Sequence, residues 1–193
     1  MARKKEISLD RILDAADAII MESGGRQFTL DAVAERAGIS KGGLVYSFAT
    51  KDDLVAAVLQ REIDRVQHAV QTRAGNDWEH KHKRLLAYLD EALTEDDRLI
   101  RRSAYLMTAL LQSPEKSRPA REYYRSILDL FDGGSTASKE IRQAVLAMEG
   151  LFLLRGLGLA DPSAAEWRSV LAHARATVAN AINDGAINDG SME

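Results

Sequence analysis

The sequence predicts an all-α protein, and three observations carry that expectation. Of 193 residues only 6% are aromatic and three are proline, so the residues that β-sheets favour are scarce. Ala, Leu, Arg and Glu are plentiful, and these have high helix propensity. Apolar residues recur at i, i+3 and i+4 along most of the chain rather than alternating.

Composition narrows the function classes before any motif is read. At 46% hydrophobic and 28% charged, the chain is of the globular type and neither fibrous nor disordered. The absence of cysteine removes disulfides, thiolate metal sites and a cysteine nucleophile, and suits a cytoplasmic location. Met1 to Glu6 begins basic but runs into Asp10 and Arg11, without the apolar stretch of a secretory signal. No apolar run approaches the ~18 residues of a membrane span, since Leu151 to Leu154 is broken by Arg155. No membrane partner is expected. The formal net charge of -3 argues against wholesale electrostatic coating of nucleic acid. Residues 1–51 hold eight Lys and Arg against seven Asp and Glu, and the rest 18 against 22, so any nucleic-acid contact depends on local placement.

From Ser8 to about Ser23, Leu9, Ile12, Leu13, Ala16, Ile19 and Ile20 share one face of a helix, with Ser8 as N-cap and Gly24-Gly25 as the stop. A second helix starts at Thr29 and closes at Gly38, its stripe being Leu30, Val33, Ala34 and Ala37. Ser40 caps a third, which ends near Phe48. Thr50 to Asp53 has capping-box spacing with Asp for Glu and opens a fourth, long helix with Leu54, Val55, Val58, Leu59, Ile63, Val66 and Val70 inside. That helix ends at Ala74-Gly75 and is long enough to transmit motion as a rod. Five further helices are expected at 78–94, 96–112, 115–131, 138–156 and 162–183, about nine in all. The last is expected to start with Asp161 as N-cap and Pro162 as first helical residue, with Glu166 three positions after Ser163. The tail repeats Ala-Ile-Asn-Asp-Gly at 181–185 and 186–190, too short for a repeat architecture.

Residues 29–48 form a unit: a helix, the turn Ala37-Gly38-Ile39-Ser40, and a second short helix. Gly38 provides the positive φ of such a turn, Ala34 permits close approach and Ile39 fills the corner, which is helix-turn-helix spacing. On the second of these helices Leu44 and Phe48 share a buried face, whereas Tyr46 lies about 200° from Leu44 at ~100° per residue. Tyr46 therefore points outward, beside Gly42, Gly43 and Ser47. Two consecutive glycines cost a helix roughly 1 kcal/mol each relative to Ala. What they offer in return is a backbone that can approach a partner closely, at a helix start where Lys41 suits phosphate oxygens. Lys51 adds a second such charge near the same edge.

The segment Phe28-Thr29-Leu30, followed by AGISKGGLVYSFATKDDLVAAVL over 37–59, resembles the N-terminal domain of the TetR family of bacterial transcriptional regulators. The likeness covers Leu9 to Leu59 closely, and the remainder is similar in size and layout without a sharp motif. The resemblance implies a helix-turn-helix DNA-binding domain at 1–51 and a helical ligand-binding and dimerisation domain at 52–193. It places Lys41, Gly42, Gly43, Tyr46 and Ser47 at base or backbone contacts of double-stranded DNA, and Thr29 and Lys51 at phosphates. Two departures stand out: the ending Val45-Tyr46-Ser47-Phe48 replaces a frequent aromatic-aromatic-His-Phe, and Ala49 replaces the usual Pro or Gly. The arm Arg3-Lys4-Lys5 is either a minor-groove or phosphate contact or a solvated tail.

One head of this size offers few contacts, so a homodimer on a pseudopalindrome with half-sites about 34 Å or a multiple of that apart is expected. By resemblance the dimer forms through the last two large helices, here Ile141, Val145, Leu151, Trp167, Val170, Leu171, Ala174, Val178 and Ile182, some of which must also pack within the subunit. Small residues Ala172, Ala176 and Ala179 permit close packing there. The resemblance also implies a small-molecule inducer bound among the middle helices. Tyr105, Met107, Leu110, Leu111, Tyr124, Phe131, Met148 and Phe152 are candidates to line its site, although core packing is open to each. Arg155, among Leu and Gly, either faces an anionic ligand or makes an ion pair across the helices.

No catalytic residue, cofactor or metal site is expected. His80 and His82, as an i, i+2 pair on one helix, would not converge. There is no nucleophile elbow, phosphate loop or Cys–His pair. The reading is a ligand-responsive DNA-binding repressor, with a helical ligand-binding or protein-interaction module as the alternative.

Overall fold

The computed structural model describes residues 9–24, 28–94, 96–110, 113–131 and 134–183. The arm Arg3-Lys4-Lys5, the N-cap Ser8, Gly25, Leu111 and the second copy of the tail repeat lie outside them. The described residues form α-helices and short 3-10 turns and contain no strand: α1 Leu9–Ser23, α2 Leu30–Ala37, α3 Lys41–Ser47, α4 Lys51–Ala74, α5 Lys81–Ala92, α6 Asp97–Ala109, α7 Arg118–Leu128, α8 Thr136–Gly156 and α9 Ala164–Asn183. No helix among them is long and apolar enough to cross a membrane.

The chain divides into two compact units, residues 1–62 with 102–120, and residues 63–101 with 121–193. Helices α4 and α6 therefore each contribute to both. The first unit is built on Ile12, Ala16 and Ile20 of α1, Val33, Ala34 and Ala37 of α2, Leu44 of α3, and Leu54, Val55, Val58 and Leu59 of α4, all buried. A buried ionic cluster joins three of its helices. Arg102 on α6 pairs through Nε with Asp17 of α1 at 2.5 Å and through Nη1 with Glu62 of α4. The second unit is a single apolar cluster that includes Leu85, Tyr88 and Leu89 of α5, Ile127 of α7, Ile141, Val145 and Met148 of α8, and Trp167, Leu171, Ala174 and Val178 of α9.

Helix ends follow their caps, and the caps explain where the boundaries differ from the sequence expectation. Thr50 and Asp53 close the expected box reciprocally: Asp53 N donates to Thr50 Oγ1 at 3.0 Å, and Thr50 N donates to Asp53 Oδ2 at 3.1 Å. Helix α9 starts at Ala164, two residues later than Pro162, because Ser163 and Glu166 form a full capping box that outcompetes Asp161 and Pro162. Ser163 Oγ accepts from Glu166 N at 3.2 Å, and Ser163 N donates to the Glu166 carboxylate at 2.8 Å. Helix α7 starts at Arg118 instead of Glu115, which puts Pro119 in the first turn, where its missing N–H costs nothing. Helix α8 starts two residues early because Ser135, rather than a later residue, caps it through Ser138 N at 3.0 Å. Helix α5 begins at Lys81, not 78, after a 3-10 turn over Gly75–Asp77.

Candidate nucleic-acid interface and ligand cavity

The turn between α2 and α3 is set by one glycine. Gly38 adopts φ 65° and ψ 38°, and its N–H, with that of Ile39, closes the end of α2. Arg11 of α1 reinforces the same end, its Nη2 donating to the Ala37 carbonyl at 2.9 Å. Ser40 then caps α3, accepting from Gly43 N at 3.1 Å. With this entry fixed, the periodicity of α3 decides which side chains face out. Leu44 is fully buried, Phe48 is half-buried just past the helix end, and Tyr46 is 92% exposed. Val45 is exposed beside it. A Cβ at Gly42 would meet nothing within 4 Å, so the backbone there stands open.

The other residues expected at DNA sit on the same unit, each with an internal partner. Thr29 accepts from Ala32 N at 3.1 Å as the N-cap of α2. Lys41 Nζ pairs with Asp31 of α2 at 2.9 Å, an exposed bridge that a phosphate can displace at little cost. Ser47 Oγ donates to the Gly43 carbonyl at 3.4 Å. Lys51 Nζ stands 4.4 Å from the centroid of the Phe28 ring, which holds the ammonium near the start of α4. The N–H of Gly43 is taken by Ser40 Oγ at 3.1 Å.

Sequence reasoning did not find the tie between the start of α4 and the segment after α6. Lys116 Nζ reaches Asp53 Oδ1 at 2.5 Å, and Ser113 Oγ donates to Asp52. The Lys116 ammonium and the Thr50 hydrogen bonds hold the Asp53 carboxyl below the ordinary aspartate range. Nothing in the sequence spacing brings 53 and 116 together, so no local signal was available.

In the second unit a cavity of about 310 Å³ is lined by Gln67, Val70, Gln71, Trp78, Arg84, Tyr88, Tyr123, Ser126, Ile127 and Leu130. None of the eight residues singled out from sequence for a ligand is among them. Tyr105, Met107 and Leu110 belong to the first unit, Phe131 and Met148 are buried in the second unit's core, and Tyr124 and Phe152 pack against that core. Leu111 lies outside the described residues. On the cavity wall the Tyr88 hydroxyl donates to the Glu149 carboxylate, and burial raises the pKa of both groups. Arg155 makes the ion pair, to Asp97 at 2.5 Å, with its guanidinium 4.3 Å from the Trp167 ring centroid.

Of the nine residues expected at a dimer interface, Ile141, Val145, Trp167, Leu171, Ala174 and Val178 are buried within the chain's own core. Leu151, Val170 and Ile182 are half-buried against that core. The exposed apolar residues of α8 are instead Leu146, Leu153 and Leu154. His80 and His82 do approach, with rings stacked at 5.8 Å, because His80 precedes α5 in an extended conformation instead of lying on it. Among the described residues no group of three His, Cys, Asp or Glu could hold a metal.

A short outward-facing helix set by a glycine turn on an all-helical chain defines a helix-turn-helix DNA-binding protein. Residues 12–58 match the family model for bacterial regulatory proteins of the tetR family, and residues 82–179 match that for the tetracyclin repressor-like C-terminal domain. The chain belongs to the TetR family of transcriptional regulators. It is 36% identical over 70 residues to the HTH-type transcriptional activator FasR of Mycolicibacterium smegmatis, covering 34% of this chain and 32% of that protein. To the HTH-type transcriptional repressor KstR of Rhodococcus jostii it is 30% identical over 86 residues, 45% of this chain and 41% of that one. The chain thus spans less than half the length of either curated relative. Its fold is similar to a transcriptional regulator of Rhodococcus sp. Rha1, with TM-score 0.65, 22% identity, and 91% and 96% of the two chains covered. It is also similar to the multidrug binding protein EbrR complexed with ethidium, with TM-score 0.61, 23% identity, and 89% and 96% covered.

Proposed function

We propose that this chain is a homodimeric repressor that binds a palindromic operator and is released by a small-molecule inducer. The observation that carries the DNA reading is the opposition on α3 of a fully buried Leu44 and a Tyr46 that is 92% exposed. Among the described residues no hydrogen bond or ring contact engages that tyrosine, whereas a major-groove floor offers base edges to its hydroxyl and thymine methyls to its ring. Thr29, Lys41, Gly42, Gly43, Ser47 and Lys51 surround it as backbone and phosphate contacts. Division of labour follows, with residues 1–51 reading DNA and 52–193 binding ligand and partner.

Support for a dimer comes from α8. Leu146, Gly150, Leu153 and Leu154 fall on one helical stripe; the leucines are 43–50% exposed, and a Cβ at Gly150 would meet nothing within 4 Å. With the exposed Ala172 and Ala176 of α9, this face is apolar and small enough for close packing with its own copy. Repression needs only that the bound head occupy a promoter, and a ligand favouring the DNA-incompetent arrangement releases it. Coupling of about 1–3 kcal/mol lowers operator affinity about 5 to 150-fold.

The test is selection of a random duplex pool by wild type and by Tyr46→Ala, followed by titration of the selected site. The wild type enriches an inverted repeat, and Tyr46→Ala loses about 1–3 kcal/mol of discrimination while remaining a dimer. Lys51→Ala weakens specific and non-specific DNA alike and lowers the salt slope by about 1. An enriched site indifferent to Tyr46→Ala would sink the assigned orientation of α3.

A further inference from the structure

We infer that the cavity of the second unit takes a small carboxylate with an apolar body, and that Arg84 recognises its charged end. The inference rests on reading this unit as the ligand-binding half and adds the charge of the ligand. Among the described lining residues Arg84 is the one charged side chain, set among the apolar Val70, Ile127 and Leu130 and the ring of Trp78. Its guanidinium carbon stands 5.3 Å from the Trp78 ring centroid, and its buried Nε has no hydrogen-bond partner.

Three other arginines of this unit find a carboxylate within the chain. Arg155 pairs with Asp97 at 2.5 Å, Arg175 with Asp90 at 2.5 Å, and Arg73 with Glu91 at 2.7 Å. Arg84 has no such carboxylate among the described residues. Glu149, close by in the fold, is occupied by the Tyr88 hydroxyl and does not line the cavity. A guanidinium cannot lose its proton to relieve the mismatch, so the missing anion must come from outside. Its Nε–H and one Nη–H form a planar fork that fits the two oxygens of a carboxylate, while the aromatic and aliphatic walls suit the apolar remainder. An ammonium ligand would meet the same positive charge, and a neutral one would leave the fork unfilled. At about 310 Å³ the space is at the small end of ligand sites.

The experiment uses full-length protein and two acids, octanoate and 3-phenylpropanoate, each beside its primary amide and its primary amine. Binding is followed by titration calorimetry and by the shift in melting temperature. The acids should bind about tenfold more tightly than their amides, and the amines not at all. Arg84→Gln should abolish that preference, so that each acid binds no more tightly than its amide, and Arg84→Lys, which keeps the charge without the fork, should retain part of it. An amide or amine that matches its acid, or an acid advantage that survives Arg84→Gln, overturns the charge assignment. In that event, loss of the bound amide or amine in Gln71→Trp, which blocks the wall, leaves the cavity standing as the ligand site. No binding of any of the six probes to wild type overturns both readings.

Discussion

Helices α3 and α8 both leave large apolar or aromatic side chains at the surface, yet only α3 declares which side is outside. On α3 Leu44 is the one fully buried side chain, and burying it leaves Val45 and Tyr46 exposed. Helix α8 is apolar on two sides. Ile141, Ala144, Val145 and Met148 face the core, while Leu146, Leu153 and Leu154 stand exposed. A helix with one greasy face has one way to lie, and a helix with two has a choice that only its neighbours make. This is why the exposed side of α3 follows from residue spacing alone, whereas the exposed side of α8 and the lining of the cavity do not.

Substitutions on the two helices test this directly. Inward-facing Leu44→Ala and Met148→Ala, both at fully buried sites, should each cost about 2–5 kcal/mol in chemical denaturation. A cost below about 1 kcal/mol at Met148 would mean that α8 is turned the other way. Next in size is Ser163→Ala, which removes the acceptor for Glu166 N and should cost about 1 kcal/mol if α9 starts where its capping box says. Tyr46→Ala should leave folding stability within about 0.5 kcal/mol, since the side chain is almost fully exposed. A melting temperature lowered as far as in Leu44→Ala would erase the contrast between the two sides of α3.

The smallest effect concerns acid. The folded-state pKa of Asp53 lies below the ordinary value of 3.8, first through Lys116 and then through Thr50, so its contribution is present at neutral pH. It is lost as pH falls below 3.8 and through the depressed folded value. Lys116→Ala should therefore flatten the acid limb of a plot of melting temperature against pH. An unchanged limb would show that the pair does not persist in solution.

Much of the architecture was readable because it depends on neighbours in sequence. Helix periodicity, the glycine at 38 and the Thr50–Asp53 box each act within four residues. Two nearby signals compete at the start of α9, and the reciprocal Ser163–Glu166 bonds prevail over a proline with one candidate cap. His80 and His82 stack for a similarly local reason, since the pair straddles a helix start instead of lying on a helix.

What the chain determined by itself is a set of amphipathic rods and the turn that presents Tyr46, because backbone φ and side-chain spacing are local quantities. Tertiary packing alone decided that Ile141, Val145 and Leu171 would be spent on the core, that Leu153 would be left outside, and that Arg84 would border a cavity without a carboxylate. Burial and ion pairing are properties of what surrounds a side chain, and those surroundings come from residues tens of positions away.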